Sequence, residues 1–183
     1  MKLLIVSTSV REGRNGRKIA NWFMEKARAD TRFEVDFVDL KELGLSYELP
    51  AMLPSQVKNS EYEREEDRAW AQRINAADAV VFVIPEYNHG ISASLKNALD
   101  HLGPEWQDKP VGVVGYGAAG APYSHAMLGL VAGWLKFDIV SPRVDIHEIW
   151  AAFNEDGTLN DDAYHSKNAT SVLNALAAKV EEK

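Results

Sequence analysis

The chain reads as α/β, with a five-stranded parallel sheet in strand order 2-1-3-4-5 as the middle of three layers. Three observations predict this. Short apolar runs alternate with helically spaced stretches along the whole of the 183 residues. Three of those runs, Leu3 to Val6, Ala79 to Ile84 and Val111 to Tyr116, are almost entirely apolar, as strands buried on both faces are. One run, Phe33-Glu34-Val35-Asp36-Phe37, alternates apolar and charged residues, as a half-exposed edge strand does.

In chain order, Leu3 to Val6 is the first strand. Residues 16–29 follow, with Ile19, Trp22, Phe23 and Ala27 spaced as one face of a helix. The alternating run is the second strand. Residues 41–57 carry Gly44, Pro50 and Pro54 and read as a long loop, either a lid or interface segment or a solvated insertion. A charged helix then sets Trp70, Ile74 and Ala77 on one face. The third strand, Ala79 to Ile84, leads into a helix marked by Leu95, Ala98, Leu99 and Leu102. The fourth ends in the turn Gly117-Ala118-Ala119-Gly120. Residues 122–136 are helical with Leu128, Val131 and Leu135 inward, and Phe137 to Val140 is the fifth strand. A last helix uses Leu173, Leu176, Ala177 and Val180. Wholly apolar strands belong at the centre and the alternating one at the edge, which is the flavodoxin-like order. A single domain, residues 1–183, accounts for the pattern.

Composition removes several classes of function. With 20 Lys and Arg against 27 Asp and Glu, the net charge is −7, which disfavours a phosphodiester partner. No run of about eighteen apolar residues is present, so no membrane span is expected. Cysteine is absent. That excludes disulfides, thiolate nucleophiles and Cys-ligated metals, and agrees with a cytoplasmic protein. The histidines, His89, His101, His125, His147 and His165, form no metal-binding pair, so no metal is expected. A nucleophile elbow, a Walker A loop and a Gly-x-Gly-x-x-Gly fingerprint are all missing. The five tryptophans read as core or interface, with Trp106 and Trp150, which flank loops, as the interface candidates.

In this topology the C-terminal ends of strands one, three and four meet at one edge, where open α/β sheets bind ligands. The first loop, Ser7 to Lys18, holds hydroxyls, glycines, four cations and one anion at a helix start. Arg11, Arg14, Arg17 and Lys18 oppose the helix dipole there unless an anion is bound, and a phosphate resolves the conflict. A solvated basic turn is the alternative. The second loop, Pro85-Glu86-Tyr87-Asn88-His89-Gly90, offers an aromatic for stacking and polar groups for a ring edge. Alternatively, Tyr87 packs and Asn88 and Ser92 cap a helix. The third, Gly115 to Ala121, offers backbone N–H groups, or is an ordinary glycine turn. Together they describe a site for a mononucleotide with a planar ring, which FMN fits.

The same residues resemble a known family, the NAD(P)H-dependent FMN reductases, flavin enzymes of the quinone, azo and chromate reductase type. Ser9-x-Arg11 with Gly13, Arg14 and Gly16 is similar to its phosphate loop. Pro85-Glu86-Tyr87-Asn88 with Leu95-Lys96-Asn97-Ala98-Leu99-Asp100 is similar to its most specific signature. Lys109-Pro110-Val111 running into the Gly117 turn is similar to its third loop. Thr8, Ala118 and Ala119 stand where the family commonly has glycine. The resemblance spans roughly residues 1–145. It implies non-covalent FMN, with the phosphate at Ser9, Arg11, Arg14, Asn15, Gly16 and Arg17 and the isoalloxazine against Pro85, Glu86, Tyr87, Asn88 and Gly117. It also implies NAD(P)H as co-substrate, ping-pong electron transfer to a small-molecule acceptor, and a homodimer or homotetramer. No catalytic acid or base is assigned, and Tyr87 is the candidate for orienting the acceptor. A flavodoxin-like electron carrier and a flavin-binding regulatory protein are the alternatives.

Overall fold

A computed structural model describes residues 1–160 and 162–183. Its strands are β1 (Lys2–Ser7), β2 (Glu34–Asp39), β3 (Ala79–Pro85), β4 (Pro110–Tyr116), β5 (Asp138–Ile139) and β6 (Val144–Ile146). The helices are α1 (Gly16–Ala29), α2 (Leu40–Leu43), α3 (Glu65–Ala76), α4 (Ala93–Asp100), α5 (Pro122–Leu135) and α6 (Asp162–Glu181). The sheet runs β2-β1-β3-β4-β5, with β6 also on β4, and every pairing is parallel.

β3 shows how the layers form. All seven of its residues are buried, and successive side chains point to opposite faces. Val80, Phe82 and Ile84 enter one core with Trp70 and Ile74 of α3, Leu95 and Leu99 of α4 and Leu128 of α5. Val81 and Val83 enter the other with Ile19 and Phe23 of α1 and Leu173 and Leu176 of α6. β2 lies at the edge, and only Val38 and Asp39 of its six residues are buried.

The structure differs from the sequence expectation in three places. The fifth strand position is shared by two short strands. β5 pairs with Pro110 and Val111 at the foot of β4, and β6 pairs with Val114 to Tyr116 at its head. Pro142, which has no N–H to donate, falls in the gap between them. The expected loop at 41–57 begins inside a one-turn helix, α2, capped by the Asp39 carboxylate and closed by Gly44 in the left-handed region. Trp106 is no interface residue. Its side chain is fully buried, with its ring centroid 6.1 Å from Trp70, 5.9 Å from Phe82 and 6.1 Å from Phe137. Trp150, the other candidate, is exposed, and so is Trp134 on α5, which the sequence reading passed over.

Candidate functional site

The register brings three strand ends to one edge: Ser7 stands opposite Val83, Pro85 opposite Tyr116, and Tyr116 opposite Ile146. The loops that follow are bonded to one another. The Thr8 amide donates to Val83 O at 3.2 Å and the Glu86 amide to Tyr116 O at 3.3 Å. The Ser92 and Ser94 hydroxyls, just beyond the second loop, both donate to the Thr8 carbonyl, at 2.8 and 2.6 Å. The Ser9 and Tyr87 hydroxyls are 2.5 Å apart and close the first loop onto the second.

In the first loop the cations divide into two groups. Arg14 forms a bidentate pair with the buried Asp39 carboxylate at 2.9 and 2.7 Å and also donates to the Ser9 carbonyl. Arg17 reaches Asp39 at 3.1 Å and Glu42 at 3.4 Å, with its guanidinium 4.5 Å from the centre of the Phe37 ring. Asp39 is therefore the internal counter-ion for two of the four cations, and sequence reading missed it. Arg11 is exposed and lies 5.0 Å from the centre of the Tyr87 ring. Asn15 is the N-cap residue of α1, yet its side chain makes no capping bond, and the first turn holds no acidic residue. The amides at the start of α1 thus keep their affinity for an anion. Gly16 allows a close approach: a Cβ there would stand 2.5 Å from the Tyr116 hydroxyl, so a larger residue would require one of the two to shift.

The second loop is a two-residue hairpin. Tyr87 and Gly90 exchange backbone hydrogen bonds at 3.0 Å, and Asn88 and His89 between them have φ of 49° and 62°. That is a type I′ turn, with His89 where glycine is usual. The His89 ring stacks on Tyr123 at 4.0 Å. Glu86 does not face outward as a free charge. Its carboxylate accepts the Tyr123 and Ser124 amides at 2.8 and 3.3 Å, and so caps α5.

The third loop is braced by the segment after β6. The Gly117 amide donates to Ile146 O, Glu148 N to Ala118 O and Ile149 N to Gly117 O, each at 3.2 Å. Left-handed backbone falls on Gly120 and Ala121, at φ 72° and 65°, rather than on Ala118 or Ala119. The alanines that replace the common glycines are thus accommodated without strain.

The long stretch after α2 is anchored near this edge. The Ser46 carbonyl accepts from Asn97 Nδ2 at 3.0 Å and from His101 Nε2 at 2.8 Å. His101 Nδ1 lies 2.5 Å from Asp67, and both side chains are fully buried. Val10 of the first loop, Leu45, Tyr47 and Asn97 line a cavity of about 240 Å³ beneath this stretch.

Residues 1–151 match the family model described as NADPH-dependent FMN reductase. The chain is 41% identical over 138 residues to an NAD(P)H-dependent FMN reductase of Schizosaccharomyces pombe, covering 75% of this chain and 68% of that one. It is 33% identical over 147 residues to a 2-hydroxy-1,4-benzoquinone reductase of a Burkholderia species, covering 76% and 73%. Its fold matches FerB, a flavoenzyme NAD(P)H:(acceptor) oxidoreductase of Paracoccus denitrificans, with a TM-score of 0.73 at 22% identity, covering 99% of this chain and 97% of that one.

Proposed function

Because this chain belongs to the NADPH-dependent FMN reductase family, we propose that its three-loop edge binds FMN and passes two electrons from NAD(P)H to a quinone, azo or nitroaromatic acceptor in a ping-pong cycle. The observation that carries the reading is the uncapped start of α1, set between hydroxyls and Arg11. The residues present fit the group. α1 offers amides to a phosphate, Ser9 and Tyr87 offer hydroxyls, and Arg11 offers a charge that no described carboxylate engages. Arg14 and Arg17 act through Asp39, holding the loop in shape. Asn15 and Gly16 contribute backbone at the phosphate end, whereas Pro85, Glu86, Asn88 and Gly117 contribute backbone walls for the ring. Tyr87, the sequence's candidate for orienting the acceptor, has its hydroxyl on Ser9 and its ring under Arg11, so we assign it to joining the two loops.

FMN supplies the redox chemistry when bound, accepting a hydride from NAD(P)H and returning two electrons to the acceptor. The chain's own part is to fix the phosphate end, hold three backbone walls against the ring and leave one face open to the two substrates in turn. It is tested by the visible spectrum of the purified protein and by reconstitution with FMN. A protein that takes up no flavin sinks the reading. Anaerobic mixing with NADH or NADPH then separates an enzyme, which bleaches promptly, from an electron carrier, which does not.

We further propose that the working form is a homodimer or homotetramer. Tyr123, Met127, Leu130 and Trp134 are all exposed and recur at i, i+4, i+7 and i+11 along α5. Leu130 and Trp134 border an apolar groove of about 440 Å³ lined by Leu53, Leu99, Leu102 and Val131. A helix that is apolar on its outer as well as its inner face belongs in a larger assembly. No helix among the described residues is long and apolar enough to cross a membrane. The same face carries both projecting side chains and a hollow, which suits an isologous contact with a second copy.

A further inference from the structure

Tyr116, the last residue of β4, is a group at this edge to which the reading above gives no role. Its side chain crosses the end of β3 toward the first loop, and 95% of the residue is buried at a relative exposure of 5%. Its hydroxyl lies directly beneath the first residue of α1, where a Cβ on Gly16 would meet it at 2.5 Å and the Ser9 Cβ at 3.2 Å. No described group meets that hydroxyl at full hydrogen-bond distance and angle, although Ser9 is near enough to act on it as a hydrogen-bonding group. A buried O–H without an acceptor is uncommon and costs free energy, so its position calls for an explanation.

The surroundings supply one. Ser9 acts on the Tyr116 phenol as a hydrogen-bonding group, and Tyr87, Arg14 and Arg11 act through their charges. Burial raises its pKa well above the ordinary phenol value, with Tyr87 adding to the effect and Ser9 and the two arginines opposing it. The group is accordingly an O–H donor throughout the working pH range. The Ser9 hydroxyl shares one hydrogen bond with Tyr87. The cluster holds hydroxyls and guanidinium groups and no anionic acceptor, and the start of α1 above it favours one.

We propose that Tyr116 is a ligand of the phosphate end of the bound mononucleotide, its hydroxyl donating to a phosphate oxygen from the β4 side while the α1 amides and Arg11 approach from above. The inference rests on the FMN reading and deepens it. It makes Tyr116 a determinant of selectivity for the phosphorylated flavin, and it gives the close approach of Gly16 to the Tyr116 hydroxyl a purpose. The hydroxyl serves the ligand and not the fold, which distinguishes it from Arg14.

The test is Tyr116→Phe, which keeps the ring and its packing. FMN and riboflavin, which lacks the phosphate, are titrated separately into flavin-free protein, and the melting temperature of that flavin-free protein is recorded. The expected result is FMN binding weakened about tenfold, as for one lost charge-assisted hydrogen bond. Riboflavin affinity should be unchanged, the flavin-free protein should melt no lower than wild type, and the phosphorus NMR signal of bound FMN should shift. Equal effects on the two flavins, no effect on FMN, or a variant that melts lower or fails to fold would each overturn the inference while leaving the FMN reading standing. A wild-type protein that takes up no FMN overturns both.

Discussion

The arginines of the first loop have similar sequence settings and different work. Arg14 and Arg17 look like phosphate ligands in the sequence because their carboxylate, Asp39, lies 25 and 22 positions away at the end of β2, beyond the reach of local pattern. Among the described residues Arg11 has no such partner. Two substitutions separate these roles. Arg11→Ala should leave the melting temperature of the flavin-free protein unchanged and weaken FMN binding by about 1.5–3 kcal/mol, read by fluorescence titration. Arg14→Ala leaves a buried carboxylate short of its main partner and should cost about 3 kcal/mol of stability. At this chain length that lowers the melting temperature by roughly 6–12 °C. Equal melting temperatures for the two variants would refute the division. A third residue sets a pH dependence. Burial, with the neighbouring Arg143, holds the His125 pKa below its ordinary 6.5, Asp145 opposing. In the acid limb the unfolded chain then binds the proton that the folded one refuses, so stability falls as pH drops through that ordinary value. Between about pH 7.5 and 5.5 the wild type should lose more melting temperature than His125→Gln. A parallel decline in the two would remove His125 from the account.

At the scale of elements, the strands were legible because burial on both faces leaves an unbroken apolar run, as in β3 and β4, while one exposed face writes an alternation, as in β2. Other features depended on partners that a run of residues does not display. The shared fifth strand position follows from how Pro142 interrupts pairing to β4. The hairpin at Tyr87 to Gly90 was hidden because Asn-His replaces the usual Asn-Gly of a type I′ turn. Tyr116 reads in sequence as one more apolar strand residue, and only the approach of Gly16 shows where its hydroxyl ends. Glu86 stands in the sequence as one of the polar groups of the second loop, and its bonds to the Tyr123 and Ser124 amides show what its carboxylate holds. It ties the second loop to the helix that leaves the third. Glu86→Ala should therefore cost about 1 kcal/mol, as loss of a cap does, and lower the melting temperature by roughly 2–4 °C. Glu86→Gln, which keeps an acceptor oxygen, should recover most of that loss. Calorimetry of the two variants checks it, and a Gln variant no better than Ala would count against the capping role.

For the whole molecule, the two ends of α5 belong to different problems. Its first turn is fixed to the second loop through Glu86 and through the His89–Tyr123 stack, whereas its last turns carry Leu130 and Trp134 at 80% and 83% exposure. A contact along this helix is thus mechanically continuous with the walls of the proposed flavin site. Burying each of those two side chains contributes about 1.5–3 kcal/mol. In a two-fold contact each counts twice, giving about 6–12 kcal/mol in all. Association costs an estimated 4–15 kcal/mol, so the pair alone roughly breaks even. The dimer then depends on Met127, Tyr123 and the Leu53 rim for its net stability. An interface so balanced is sensitive to one charge. Trp134→Glu withdraws the largest anchor from both copies, about 3–6 kcal/mol, or roughly two to four powers of ten in the dissociation constant. The wild type should run as a dimer or tetramer in light scattering at micromolar concentration, and Trp134→Glu should run as a monomer. Because Trp134 lies outside both cores, the variant should keep its fold by circular dichroism. A monomeric wild type would reject the assembly, and a Trp134→Glu protein of unchanged mass would move the interface to another face. If assembly also steadies the ring walls through Tyr123 and Glu86, the monomeric variant should bind FMN less tightly than wild type, with Arg11 and Tyr116 untouched.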